Sequence, residues 1–557
     1  YEKPNANIDF ENSPFYVNNK LTEWKNSEFP LRAGISSFGM GGTNAHVVLE
    51  EAPDIEASDI GRRYQLLSLS AQTEKSLEEQ TKKLADYLNQ DPNGNLADVA
   101  YTLLIGRKRL KHRRMLVVSD IEEAKRELFS MNPVKVQTKI YDGASKQIIF
   151  MFPGQGAQYV NMGLDLYREE KIFREELNRC CQILEGISGV NWMELLYPSD
   201  PEAKASDAIN QTSNTQPAIF IFEYSLAKML IGWGIRPDGM IGHSIGEYVA
   251  ACLSGVLSLK HALKLVYDRG ILMQQLPKGS MVSVKASQND ILPLMSRDLS
   301  FAAVNGPLSC VVSGSDEEIN ILETKLNRED FKYIKLLTSH AFHSSMMDPI
   351  LAAYKEKIKE IDLHHPNIPF ISNVTGEWIT KSQATSSDYW VNHLRQTVRF
   401  SDGIKHLVTG SENIFVEVGP GRALSALVRQ QEQGESELAI VNTVRHSKER
   451  VSDDKFLLQN IGKLYIYGVK IDWPKYFSQE RRHRVPLPTY PFDRQFFSIS
   501  KDLKNRESAS LPQSELVGDS KQPIAPKDDK EQKIIDSYKE VTGLKNISPH
   551  ADFFEIG

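Results

Sequence analysis

The sequence predicts an α/β protein built around a mainly parallel sheet. Three observations carry that expectation. Between residues 146 and 440, strand-like runs such as 148–152 alternate with helical runs such as 218–231, the order expected of strands joined by crossover helices. A glycine-flanked serine, Gly242-His243-Ser244-Ile245-Gly246, sits between the apolar pair Met240-Ile241 and a good helical stretch over 247–254. The composition, 41% hydrophobic and 25% charged, leaves ample material for buried cores. At roughly 150 residues per domain, 557 residues imply three or four domains.

The same arithmetic narrows the function. Charges sum to 66 − 72 = −6, which gives no reason to expect nucleic acid or an anionic membrane as a partner. No apolar run approaches the roughly 18–20 residues of a membrane helix. Cys180, Cys181, Cys252 and Cys310 contain no C-x-x-C pair, so a disulfide framework and a zinc site are both disfavoured and a reducing, cytoplasmic setting is expected.

Taken in order, residues 1–53 end in Gly39, Gly41 and Gly42, which permit a tight turn, followed by the strand-like 45–49. Residues 54–60 are acidic and linker-like. A small α/β unit follows to about residue 142, with Leu77, Leu84 and Leu88 on one helical stripe over 76–88 and a strand at 115–118. Within the richest segment, 280–340 alternates strands at 281–284, 301–304 and 310–312 with one helix over 316–326, and reads as an inserted subdomain. A helix over 455–467 precedes the Pro-rich 485–491, an extended strap, since proline donates nothing to a sheet and restricts its predecessor. Residues 501–530 are polar and read as a disordered linker. A last amphipathic helix over 531–541 carries Ile534, Ile535, Tyr538 and Val541 on one face. The start at Tyr1 and the stop at Gly557 read as cuts within something longer.

Four features carry chemistry. The spacing G-x-S-x-G between strand and helix predicts a sharp turn that exposes the Ser244 oxygen, with the following helix aiming N–H groups at developing charge. A Gly-rich turn with an incidental serine is the competing reading. The base is sought in Ser339-His340-Ala341-Phe342-His343-Ser344, because an imidazole accepts and returns a proton near neutrality. Two histidines three apart also admit a metal pair, but no third ligand lies at suitable spacing. Phe152-Pro153-Gly154-Gln155-Gly156-Ala157-Gln158 lacks the G-K-[ST] ending of a phosphate loop and suits a backbone donor to an oxyanion better. Arg269 lies in the apolar helical stretch 263–276 and needs a partner, either an ordinary ion pair or a ligand.

Together these motifs resemble the acyltransferase domain of modular type I polyketide synthases and the related malonyl-CoA:acyl-carrier-protein transacylases. The resemblance spans about 146–440 and rests on F-P-G-Q-G-A-Q at 152–158, G-H-S-I-G at 242–246, R-G-x-L-M-Q from Arg269 and V-N-G-P at 304–307. It continues through H-A-F-H-S at 340–344, S-N-V-T-G at 372–376 and E-V-G-P-G at 417–421. It implies an α/β-hydrolase-like parallel-sheet core with a small ferredoxin-like subdomain at about 278–340. It further implies Ser244 as nucleophile, His343 as general base and Arg269 as the grip on the free carboxylate of malonyl-CoA. Main-chain N–H groups of Gln155 and Ile245 would form the oxyanion hole, and His243 and Asn305 would also meet the substrate. Phe342 and Ile245 fit the malonyl-selective pattern, Phe342 by crowding an extra methyl.

The flanks resemble neighbours in the same assembly. Residues 1–53 resemble the end of a ketosynthase, with His46 matching one of its catalytic histidines. Residues 54–145 resemble the small α/β linker domain between ketosynthase and acyltransferase, and 441–500 the strap that follows. Residues 531–557 resemble the start of a carrier domain, cut before its modified serine. The expected partners are an acyl carrier protein domain downstream and a ketosynthase upstream. No cofactor is expected to be held covalently in this segment, phosphopantetheine residing on the carrier, and no metal is expected. A serine hydrolase that edits carrier-bound acyl groups, or a non-catalytic docking scaffold, are the alternatives; Arg269 favours carboxylated substrates over general ester hydrolysis, and the intact Ser244, His343 and Arg269 argue against a decayed scaffold.

Overall fold

The computed structural model describes residues 3–26, 28–53, 56–199, 205–409, 412–431, 438–495 and 528–542. The chain falls into two compact units, Tyr1–Asp493 and Arg494–Gly557. Among the described residues, no helix is long and apolar enough to cross a membrane.

The first unit opens with an antiparallel ribbon, β1 (Arg32–Phe38) and β2 (Asn44–Glu50), closed by a turn in which the Gly39 N–H donates to Thr43 O. Its apolar side chains are exposed on both faces, Ile35 by 54% and Val48 by 68%. Next comes an antiparallel sheet in the order β3 (Gln65–Ala71), β4 (His112–Val118), β5 (Gln137–Ile140). The Glu74–Gln90 helix lays the expected stripe of Leu77, Leu84 and Leu88 on it, and the Thr73 hydroxyl accepts the Ser76 N–H to cap its first turn. The Pro-rich 485–491 has no regular secondary structure and buries Leu487 in this same small core, while Arg107 holds the Leu487 and Pro488 carbonyls.

The central sheet begins with β6 (Gln147–Phe152) and β7 (Gly239–Gly242). After β7 the chain inserts β8 (Ser280–Val284), β9 (Ser300–Gly306), β10 (Ser309–Gly314) and β11 (Tyr333–Lys335), an antiparallel sheet in the order β11-β8-β10-β9. With the Gln288–Ile291 and Asp316–Arg328 helices this is a βαββαβ unit with its own core around Val282, Val312 and Leu322, the ferredoxin-like subdomain. The sequence pattern named one helix here; the second spans four residues, too few to show a period. The chain then returns through β12 (Phe370–Ile371), β13 (Asn413–Glu417) and β14 (Ala439–Asn442) to complete a wholly parallel sheet ordered β12-β7-β6-β13-β14. Strands buried on both faces read as continuous apolar runs, and Ile149, Phe150, Met151 and Phe152 are all buried.

The Thr212–Gly232 helix begins six residues before the expected start at 218 and carries Pro217 inside it. A proline removes one backbone bond, and burial of this helix on nearly every side outweighs that loss. β14 runs to Asn442, past the expected boundary at 440, and the Asp453–Ile466 helix follows.

In the second unit the Asp529–Thr542 helix is present, but its two isoleucines do not share a face: Ile535 is buried and Ile534 is 59% exposed. Adjacent helical residues point about 100° apart, so one can turn inward while the other faces solvent. The side chains of Tyr538 and Val541, the expected linker from 501 to 527, and D-F-F-E-I-G at 552–557 lie outside the described residues.

Candidate active site

Because β6, β7 and β13 run parallel and adjacent, their C-terminal ends share one edge of the sheet, where α/β folds form their clefts. The loops leaving them line a cavity of about 580 Å³ with Pro153–Gln158, His243–Ile245 and Gly421–Leu424. The inserted subdomain supplies the facing wall through Met281, Ala302, Ala303, Asn305 and Val311, and the segment that leaves it adds Phe342 and His343. Among the expected site residues, Ser244, His343, Arg269, Gln155, Ile245, Phe342, His243 and Asn305 all line this one cavity. His46 does not. It lies on the exposed β1–β2 ribbon, where its Nδ1 meets the Ser36 hydroxyl at 2.8 Å.

Ser244 sits directly after β7 with φ +51°, in the left-handed region that a residue with a Cβ rarely adopts. Its two flanking glycines are required by contact. A Cβ on Gly242 would lie 2.1 Å from the Glu247 nitrogen, and one on Gly246 would lie 2.2 Å from Phe152 O. The Gly246–Leu253 helix starts immediately behind the serine. The Ile245 and Gln155 N–H groups have no acceptor among the described residues, so both are free for an anion in the cavity.

The Ser244 hydroxyl donates to His343 Nε2 at 2.8 Å, and His343 Nδ1–H donates to Gln396 O at 2.9 Å. The carbonyl accepts only from an N–H, so it fixes the tautomer that leaves Nε2 free as acceptor. His343 also has positive φ, +56°. Burial, reinforced by the Arg269 charge and the imidazoles of His393 and His243, holds its pKa well below 6.5. His343 is therefore neutral at physiological pH and able to take a proton. His340 is occupied elsewhere: its ring nitrogens meet the Ser339 hydroxyl and Leu276 O.

Arg269 comes from the middle of the Leu259–Gln274 helix and is 1% exposed. Its Nη1–H donates to Gln216 Oε1 at 2.6 Å and its Nη2–H to Ser244 Oγ at 3.3 Å; Nε has no partner. Among the described residues it pairs with no carboxylate, so the ordinary ion-pair reading is not realised. A buried guanidinium with an unused N–H, 3.3 Å from a serine oxygen, is chemically suited to an anionic group. His243 Nε2 and Asn305 Oδ1 meet at 2.9 Å, which ties the elbow to β9 of the facing wall.

Sequence reasoning missed several neighbours. Gln216, which holds Arg269, stands 53 residues away from it. Gln396 acts through its main chain, which leaves no side-chain signature. Asn373 and Glu247 lie in or beside recognisable motifs, yet neither spacing revealed what they touch.

A family profile described as "Acyl transferase domain" matches residues 149–470, more than half of the chain, and one described as "CurL-like, PKS C-terminal" matches 65–128. The chain belongs to the acyltransferase domain family of type I polyketide synthases. It is 35% identical over 518 residues to a phenolphthiocerol/phthiocerol polyketide synthase subunit of Mycobacterium tuberculosis, covering 89% of this chain and 34% of that protein. Its identity to the spectinabilin polyketide synthase system protein NorB of Streptomyces orinoci is 33% over 515 residues, covering 90% and 24%. The chain thus spans about a third or less of these curated relatives. Among solved structures, the acyl transferase domain of ZmaA matches with a TM-score of 0.73 at 41% identity, covering 77% of this chain and 99% of that one. The malonyl CoA-acyl carrier protein transacylase from Clostridium perfringens matches at 0.50 and 27%, covering 57% of this acyltransferase and 97% of that chain.

Proposed function

We propose that this acyltransferase takes malonyl from malonyl-CoA onto Ser244 and passes it to the phosphopantetheine thiol of an acyl carrier protein. The observation that carries the reading is Arg269, buried, without a carboxylate partner, and 3.3 Å from the Ser244 oxygen. As Ser244 Oγ attacks the thioester carbonyl, its proton passes to His343 Nε2, and the carbonyl oxygen gathers charge against the Ile245 and Gln155 N–H groups. The C–S bond breaks, and the CoA sulfur leaves with the proton from His343. A pantetheine thiol then gives its proton to His343 and attacks the seryl ester, and Ser244 recovers the proton. Throughout, Arg269 holds the distal carboxylate bidentately, which favours malonyl over acetyl. Phe342 on the facing wall favours malonyl over methylmalonyl.

The proposal extends to the flanks. The doubly exposed β1–β2 ribbon supports reading residues 1–53 as the end of a ketosynthase that covers it, and 54–145 is read as the linker domain. Residues 146–440 are read as the acyltransferase proper, 441–500 as its strap, 501–530 as a linker and 531–557 as the start of the carrier domain. The test is intact-mass analysis after incubation with malonyl-CoA, followed by addition of a carrier protein. A malonyl adduct on Ser244 that moves to the carrier is expected. An adduct lost to free malonate at the same rate with or without carrier would make the protein a hydrolase, and no adduct on the folded protein would make it a scaffold.

A further inference from the structure

Beneath the elbow, a chain of buried polar side chains runs from the Ser387–Arg395 helix to both sides of the nucleophile. The Asn373 carboxamide reaches two peptide groups at once: its Nδ2–H donates to Gly242 O at 2.7 Å, and its Oδ1 accepts the Ser244 N–H at 2.7 Å. The Asn373 N–H in turn donates to Glu247 Oε2 at 2.7 Å. Glu247 Oε1 accepts the Tyr389 hydroxyl, and His393 Nε2 lies 3.4 Å from Oε2. Asn373, Glu247 and His393 are all buried, with Glu247 fully so. None of this assembly belongs to the substrate cavity, and nothing in the acyl-transfer steps above uses it.

What it constrains is Ser244. A left-handed φ at a residue with a Cβ persists only where surroundings over-determine it. Here one side chain ties the peptide before His243 to the peptide after it, which leaves the turn no room to relax. The same bond decides which amide faces the substrate. Ser244 N–H is taken by Asn373, Gly246 N–H by His243 O and Glu247 N–H by Ser244 O. Ile245 N–H alone of these four is left without an acceptor among the described residues.

We infer that Asn373 is a positioning residue for the nucleophile, its main chain anchored by Glu247, and that its carboxamide holds the strained elbow and leaves the Ile245 amide free for the oxyanion. The inference rests on Ser244 being the nucleophile. The experiment therefore measures two rates in each protein: labelling of Ser244 by a small fluorophosphonate, and loading from malonyl-CoA. In Asn373→Ala both rates fall about tenfold to a hundredfold, the scale of one or two lost buried hydrogen bonds. With both rates expressed per folded protein, read from the amplitude of the unfolding transition, KM for malonyl-CoA and the preference over acetyl-CoA, which depend on Arg269, stay within about threefold, so the loss lies at the nucleophile and not in acyl binding. Asn373→Asp keeps the acceptor but loses the donor, and falls between.

Parent-like labelling and loading in a folded Asn373→Ala overturns the inference. Absence of Ser244 labelling in the parent protein overturns the reading beneath it instead. If neither variant folds, hydrogen exchange in the parent decides, because the Ser244 amide must exchange far more slowly than the unbonded Gln155 amide. Equal exchange overturns the inference.

Discussion

The two walls of the cavity are built on opposite principles. On the core side, Ser244, Arg269 and the loop amides are fixed by main-chain geometry and buried hydrogen bonds; parallel strands deliver the serine and the loops to one edge, and a helix delivers the arginine. On the subdomain side, Met281, Ala302, Ala303, Val311 and Phe342 present mainly apolar shape, with Asn305 and the edge residue His343 as the polar groups that reach across. In the proposed function the nucleophile and the Arg269 choice of malonyl over acetyl belong to the first wall, where side chains have several partners each. The Phe342 choice against an added methyl belongs to the second, where they have few, so that wall can change without disturbing the first.

Substitutions across the two walls break or sharpen that contrast. The largest effect is expected on the core side: Ser244→Ala removes the acyl adduct altogether, read by intact mass, and any remaining adduct moves the nucleophile elsewhere. Arg269→Ala comes next. Leaving a substrate carboxylate in a dry cavity without its partner costs about 2–5 kcal/mol, roughly 30- to several-thousand-fold in malonyl kcat/KM, while acetyl loading rises.

The same variant tests the electrostatics of the base. In the proposed cycle His343 works only while neutral, and its pKa lies well below 6.5, so parent acetyl-CoA loading persists as pH falls past 6.5 and drops only further into acid. Since the Arg269 charge contributes to that depression, Arg269→Ala moves the drop to higher pH. An unmoved acid limb would separate the two groups electrostatically. On the subdomain wall, Phe342→Ser raises methylmalonyl-CoA loading by about tenfold, within the roughly 1–3 kcal/mol that one methyl group provides, and leaves Ser244 labelling unchanged. Smallest of all, His46→Ala leaves malonyl loading unaltered, because that histidine lies outside the cavity.

What the sequence disclosed, and what it hid, follows the same division between local and distant. The elbow at Ser244 was legible because a sharp turn needs Gly242 and Gly246 at fixed offsets, and the stripe of Leu77, Leu84 and Leu88 because helical period is local. The alternation of strands and helices was enough for the parallel core. Asn373 stands in a recognisable motif, but its role was hidden, since its contacts with Gly242 and Ser244 cross 131 and 129 residues. Gln216 beside Arg269 was hidden in the same way, and the Gln396 carbonyl is a group every residue possesses. The first six residues of the Thr212–Gly232 helix were hidden because the burial that offsets Pro217 comes from distant parts of the chain. Ile534 misled because apolar spacing says which side chains are neighbours on a helix, not which side of it meets a partner.

The partner of His343 Nδ1 is a peptide carbonyl, not a carboxylate. A neutral dipole aims the ring but returns little Coulomb energy once the ring becomes a cation, so the imidazole stays a reluctant base. A thiol, with a pKa of about 8.5, asks little of such a base; water, far less acidic, asks much more. In the proposed cycle the ester on Ser244 drains slowly to solvent and departs readily on a pantetheine. Part of that patience toward the right acceptor is then carried by one uncharged oxygen.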